Sequence, residues 1–260
     1  MPYTFAELIA PTAQSSFSHL AFAPLNAFIV KIILAGSTGL IGSEVLSHLL
    51  RNSSITSIII LSGRPLPDVV SRDGRIKVIV LKSFLKYEDE VAEELVGAKA
   101  VIWSLGGSNS NPTPSEKMDE VEVQYPLALA NVLISSRKSK KDAINSSTKM
   151  RFLFISGTAS ERDQSRSLWF LEQERKARGR AENRLFELSK QNSVVFETVI
   201  IKAAYVVPKD SKVPDMVVGL SGNAIRVNEL AAAMVIYTLD RHGSETKDKR
   251  ALGVLKLSFT

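Results

Sequence analysis

Cysteine is absent from the 260 residues, which excludes disulfide frameworks, thiolate metal centres and cysteine nucleophiles. Histidine is scarce, and His19, His48 and His242 stand far apart, so no metal site is expected. Charge of one sign is also lacking: 33 Lys+Arg against 27 Asp+Glu leave only +6, too mild a balance to mark a nucleic-acid partner. The longest apolar stretch, 20–35, is broken by Pro24 and Lys31 and falls short of the roughly 20 apolar residues that a membrane span needs, so stable membrane insertion is not expected. Before Lys31 there is no Lys or Arg, hence neither the basic start of a secretory signal nor the arginines of a transit peptide. The expected address is intracellular, in the cytoplasm. What remains is 45% hydrophobic and 23% charged, an ordinary globular composition that fits poorly with disorder, collagen or coiled coil.

Apolar runs of strand length alternate with stretches of helical period. Strands are expected at 28–34, 57–61, 76–81, 98–103, 151–155 and 194–201, with a closing strand near 253–257. Helices are expected over 40–50, near 88–96, and over 116–137, 165–190 and 227–239. In the first helix Ile41, Val45, Leu46, Leu49 and Leu50 share a face. This alternation predicts an α/β, doubly wound parallel sheet of Rossmann type, forming one domain over 29–260 behind a 1–28 extension. The segment after the sixth strand is too short for a second domain and forms a small substrate region.

The junction of the first strand and helix reads Gly36-Ser37-Thr38-Gly39-Leu40-Ile41-Gly42. In that context Gly36 permits the tight turn, Gly39 admits a pyrophosphate and Gly42 lets the helix pack closely. The helix N-terminus adds free N–H groups and positive dipole for the anion. About 20 residues on, NAD sites carry an acid. Here the end of the second strand reads Leu61-Ser62-Gly63-Arg64. An arginine there pairs with a 2′-phosphate, so NADP(H) is favoured over NAD(H); Asp68 is the weaker, NAD-type candidate.

Together with Ser104-Leu105-Gly106-Gly107, Gln124-Tyr125-Pro126, Phe154-Ile155-Ser156-Gly157, Arg178-Gly179-Arg180-Ala181-Glu182 and Ile201-Lys202-Ala203-Ala204, the loop resembles the short-chain dehydrogenase/reductase superfamily. The likeness covers roughly 30–258 and is to the atypical branch with the NmrA-like and Tat-interacting-protein-like NAD(P)-binding proteins. It implies cofactor contacts at Leu105, Gly106, Arg178 and Lys202, and a catalytic role for Ser156. The superfamily's Tyr-x-x-x-Lys acid/base pair is missing. Aligning Arg178-Gly179 with the family's Lys-Gly puts Glu174 where the tyrosine stands; one turn earlier, Glu172 and Lys176 offer no tyrosine either. Tyr205-Val206-Val207-Pro208-Lys209 has the spacing, but Pro208 disfavours the helical turn that the pair requires.

Three functions are compatible with these residues. The first is an NADP(H)-dependent oxidoreductase on a small organic substrate, with Ser156, Glu174 and Arg178 in place of the usual set. The second is a non-catalytic dinucleotide-binding sensor or scaffold, and the third a non-redox isomerase, lyase or cyclase. The expected partner is a small molecule, and a homodimer is an allowed assembly. Loops 106–114 and 208–222 would lie over the strand ends, where ligands bind in such sheets.

Overall fold

A computed structural model describes residues 30–67, 72–107, 114–139, 149–203, 205–213 and 224–239, and the backbone of 256–259. The 1–28 extension, Asp68, the middle of the 106–114 loop and most of 208–222 lie outside the described residues. Along the chain run β1 (Lys31–Ala35), α1 (Leu40–Arg51), β2 (Ser57–Ser62), β3 (Ile76–Val80), α2 (Asp89–Leu95) and β4 (Ala100–Trp103). There follow α3 (Tyr125–Lys138), β5 (Met150–Gly157), α4 (Glu172–Gln191), β6 (Phe196–Ala203), β7 (Tyr205–Val207), β8 (Ala224–Arg226), α5 (Val227–Leu239) and β9 (Lys256–Phe259).

The sheet order is β3-β2-β1-β4-β5-β6-β9. The first six strands are parallel; β9 runs antiparallel on β6, so the expected parallel sheet carries one reversed edge. The inner strands β1, β2 and β4 are nearly continuous apolar runs buried on both faces, whereas edge strand β3 carries Lys77 and is partly exposed. Ile33, Val101, Phe152 and Phe154 enter one core layer with residues of α3 and α4. Ile32, Leu34, Ile58 and Ile102 enter the other with residues of α1 and α5. The chain order reverses between β1 and β4, the switch point at which open α/β sheets hold ligands.

Two helices depart from the sequence expectation. Instead of one helix over 116–137, a 3-10 turn (Ser115–Lys117) and a π turn (Glu120–Gln124) precede α3. Pro126 lacks the N–H for an α-type bond to Glu122, and the chain widens to the i→i+5 bond from Tyr125 N to Glu120 O. The helix expected over 165–190 begins only at Glu172. Residues 158–167 instead form a strap along α4, fixed by Arg175 Nε to Ala159 O (2.6 Å) and Asn183 Nδ2 to Arg162 O (3.0 Å). Leu171 then enters α4 with φ +47°, a left-handed turn costly for a side chain of this type.

The strap can lie there because residue 179 is glycine. A Cβ at Gly179 would fall 1.6 Å from the Glu161 carbonyl oxygen. Gly179→Ala must therefore push the strap away, at a cost of about 1–3 kcal/mol. Thermal melting should show a fall of roughly 3–10 °C; an unchanged melt contradicts this packing.

Candidate functional site

The glycine loop is built by close approach. Gly36 has φ +86°, and a Cβ there would meet the Ser104 carbonyl at 2.6 Å. A Cβ at Gly42 would fall 2.1 Å from Gly36 O, so α1 reaches the loop only because this side chain is missing. Gly39 has room, its Cβ position being 3.5 Å from Gly36 O; its amide closes the turn onto Gly36 O at 3.1 Å. No side chain caps α1 and its first turn holds no acid, which leaves N–H groups and dipole open to an anion.

A cavity of about 520 Å³ opens beside the loop. Of the residues expected to bind a cofactor, it brings together Gly36, Ser37, Thr38, Arg64, Leu105 and Gly106. Gly39, Leu40, Ile41 and Gly42 form the turn and first helical residues behind it, with Leu40 half exposed and Gly42 buried. Arg178 and Lys202 lie outside its lining. Tyr125 forms part of the wall and packs on Phe84, their ring centroids 5.4 Å apart. The hydrogen bond from Tyr125 to Glu120 and burial push its pKa up to about 12, so Tyr125 stays a neutral hydroxyl near pH 7.

The candidate catalytic residues sit deeper and fall into two groups. Ser156 and Lys202 are register partners on β5 and β6, and both turn to Glu182 of α4. Ser156 Oγ donates to Glu182 Oε1 at 2.6 Å, and Lys202 Nζ lies 3.2 Å from Oε2. The strap supplies the Ser160 hydroxyl and the Arg162 guanidinium to the same carboxylate, and Arg162 stacks 4.6 Å over the Phe186 ring. Glu182 is fully buried. Burial pushes its pKa up, but the three hydrogen bonds and the Lys202 charge outweigh it and hold the carboxyl below its ordinary value.

Arg178 belongs to the second group and spans the ends of β4 and β5. Its Nη2 donates to Gly107 O at 2.9 Å, and Nε lies 3.5 Å from Glu122 Oε2. Glu122, buried in the π turn, accepts from Gly107 N at 2.9 Å. A Cβ on Gly157 would stand 3.6 Å from Arg178 Nη1. Glu174, one turn before Arg178, is half-buried and makes no hydrogen bond with the described residues. Glu172 and Lys176 pair with each other. Tyr205 is exposed on β7, not on a helix, and among the described residues no tyrosine hydroxyl bonds to Ser156, Arg178 or Lys202. The organising roles of Glu182 and Glu122 have no local signal in the sequence: Gly107 and Arg178 lie 15 and 56 positions from Glu122, and the partners of Glu182 lie 20 or more away.

Glu182→Gln removes the counter-charge of Arg162 and Lys202 and should lower stability by roughly 3 kcal/mol at neutral pH. The folded carboxyl is depressed, so its contribution is complete above the unfolded value of about 4.3 and is lost as pH falls through the folded one. Denaturant titrations should show wild type and variant converging below that range; a pH-independent gap contradicts the assignment.

No protein-family model matches the chain. Leucinostatins biosynthesis cluster protein T of Purpureocillium lilacinum is 29% identical over 157 residues, 60% of this chain and 51% of that protein; the match thus spans about half the length of the curated relative. Among solved structures, the PhqB reductase domain from Penicillium fellutanum superposes with a TM-score of 0.58 at 15% identity, over 82% of this chain and 65% of that one. A short chain dehydrogenase from Burkholderia cenocepacia in complex with NADP gives a TM-score of 0.56 at 13% identity, over 81% of this chain and 84% of that one. The terminal R domain of the myxalamid PKS-NRPS pathway gives 0.57 at 12% identity, over 84% and 65%. The architecture is therefore the Rossmann-like, short-chain-dehydrogenase-like fold.

Proposed function

We propose that the chain binds NADP(H) and acts as an oxidoreductase on a small organic substrate. One observation carries this reading: a single cavity joins the Gly36–Thr38 turn to Arg64, and no carboxylate stands among its described lining residues. The bare N-terminus of α1 suits a pyrophosphate. Arg64, with no ion pair among the described residues, suits a 2′-phosphate. Ser62 leaves that guanidinium to the cavity: its hydroxyl donates to Arg64 O (2.7 Å) and accepts from Arg64 N (3.3 Å), fixing the backbone instead. Leu105 and Gly106 form the wall toward the strand ends.

The nicotinamide ring, when bound, supplies or accepts a hydride. Arg178 lies across the ends of β4 and β5 and orients groups there. Glu174 is the carboxyl of α4 left open to exchange a proton with a substrate, and Ser156 is oriented by Glu182. The likeness to a biosynthesis-cluster protein and to reductase domains supports a small organic substrate. The ordered motifs support membership of the NmrA-like branch, the strand–helix alternation supports a single domain over 29–260, and the address that goes with this reading is the cytoplasm. Among the described residues no helix is long and apolar enough to cross a membrane.

A second reading, a non-catalytic NADP(H)-binding sensor, is favoured by one specific feature: the Ser156 hydroxyl is committed to a buried carboxylate and has no tyrosine beside it. Calorimetric titration with NADPH and NADH, then turnover over a panel of carbonyl compounds, separates the two. The expected outcome is NADPH binding at least about tenfold tighter than NADH, or ~1.4 kcal/mol, with NADPH oxidised by some member of the panel. Binding without turnover supports the sensor; binding of neither nucleotide overturns both.

A further inference from the structure

The cavity holds a second cation. β2 and β3 pair in parallel with Ser62 opposite Val80, and Leu81 N donates to Ser62 O at 2.8 Å. The two chains therefore leave the sheet side by side, about 4.8 Å apart at the last pair. Two residues past each strand end stands a cation: Arg64 after Ser62, and Lys82 after Val80. Both line the cavity, and neither side chain has an ion pair or hydrogen bond with a described residue. Serine hydroxyls fix both turns, Ser62 on Arg64 and Ser83 by accepting from Leu85 N at 3.1 Å. The loops also pack together, since a Cβ at Gly63 would stand 3.6 Å from the Phe84 ring.

We infer that Lys82 is the second half of a two-cation site for a phosphomonoester, and that Arg64 and Lys82 together select a dinucleotide phosphorylated on its adenosine ribose. The inference rests on the NADP(H) reading above. A phosphomonoester carries nearly two negative charges at neutral pH, with three acceptor oxygens. One guanidinium engages two of those oxygens through its fork and supplies one positive charge. Lys82, a compact point charge on a flexible stem, supplies the other charge from the neighbouring strand end. A carboxylate, which would bind the hydroxyls of an unphosphorylated ribose, is missing from the same described lining. Lys82 is thus a specificity-determining residue.

The test titrates the full chain with NADPH and NADH in wild type, Arg64→Ala, Lys82→Ala and the double variant, with 2′,5′-ADP and 3′,5′-ADP as probes of the phosphate position. Both side chains are exposed, so thermal melts should coincide with wild type and report intact folding. Each single variant should lose roughly tenfold in NADPH affinity and less than about twofold in NADH affinity, and the double variant roughly a hundredfold in NADPH affinity alone. Lys82→Gln should behave as Lys82→Ala, and Lys82→Arg should retain the preference. Unchanged NADPH affinity in Lys82→Ala, beside a loss in Arg64→Ala, overturns the role of Lys82 and leaves the NADP(H) reading standing. Tighter binding of 3′,5′-ADP than of 2′,5′-ADP overturns the assignment to the 2′ position. Failure of wild type to bind either dinucleotide removes the reading on which the inference rests.

Discussion

The approach of Gly42 to the Gly36 carbonyl oxygen fixes the position of everything around the cavity. With a Cβ position only 2.1 Å from that oxygen, α1 is seated against the turn more closely than any side chain allows. On the other side Ser104 ties the end of β4 to Ala35 O through its amide (3.0 Å) and hydroxyl (2.7 Å). The turn is therefore clamped between a helix N-terminus and the neighbouring strand, at the point where the order of the sheet reverses. An anion placed there meets a rigid set of N–H donors rather than a loop that must be ordered on binding, which reduces the entropic cost of association.

The rest of the strand ends has been committed differently. α4 presents Glu174, Arg178 and Glu182 at intervals of four residues, so the three lie along one side of the helix. Glu182, itself fully buried, gathers the ends of β5 and β6 and the strap into one charged centre. Arg178 links the end of β4 to the π turn. Glu174 alone has no bonded partner among the described residues. That side of α4 therefore holds two bonded networks and one carboxyl without a partner among the described residues.

Much of the fold was legible because strands buried on both faces leave an unmistakable pattern. The runs at 57–61, 76–81 and 98–103 differ from β2, β3 and β4 by at most two residues at an end. The glycine loop was legible as a strand-to-helix turn because its geometry is local, and Arg64 stands, as the sequence has it, just past the end of β2. The strap was not. Residues 165–190 are rich in helix formers, and only tertiary contacts, the approach of Glu161 to Gly179 and the bonds from Arg175 and Asn183, set the strap along α4. The π turn escaped for a related reason, since Pro126 stands inside an otherwise helical pattern. The roles of Glu182 and Lys82 were hidden because each arises from strand pairing: Ser156 beside Lys202, and the end of β2 beside the end of β3.

The most direct measurement is a crystal structure of the chain grown with NADPH. The expected result is the pyrophosphate over the Gly36–Thr38 turn at the N-terminus of α1 and the 2′-phosphate between Arg64 and Lys82, with Glu182 still bonded to Ser156. A nucleotide bound elsewhere, or one whose adenosine ribose points away from the ends of β2 and β3, would contradict it.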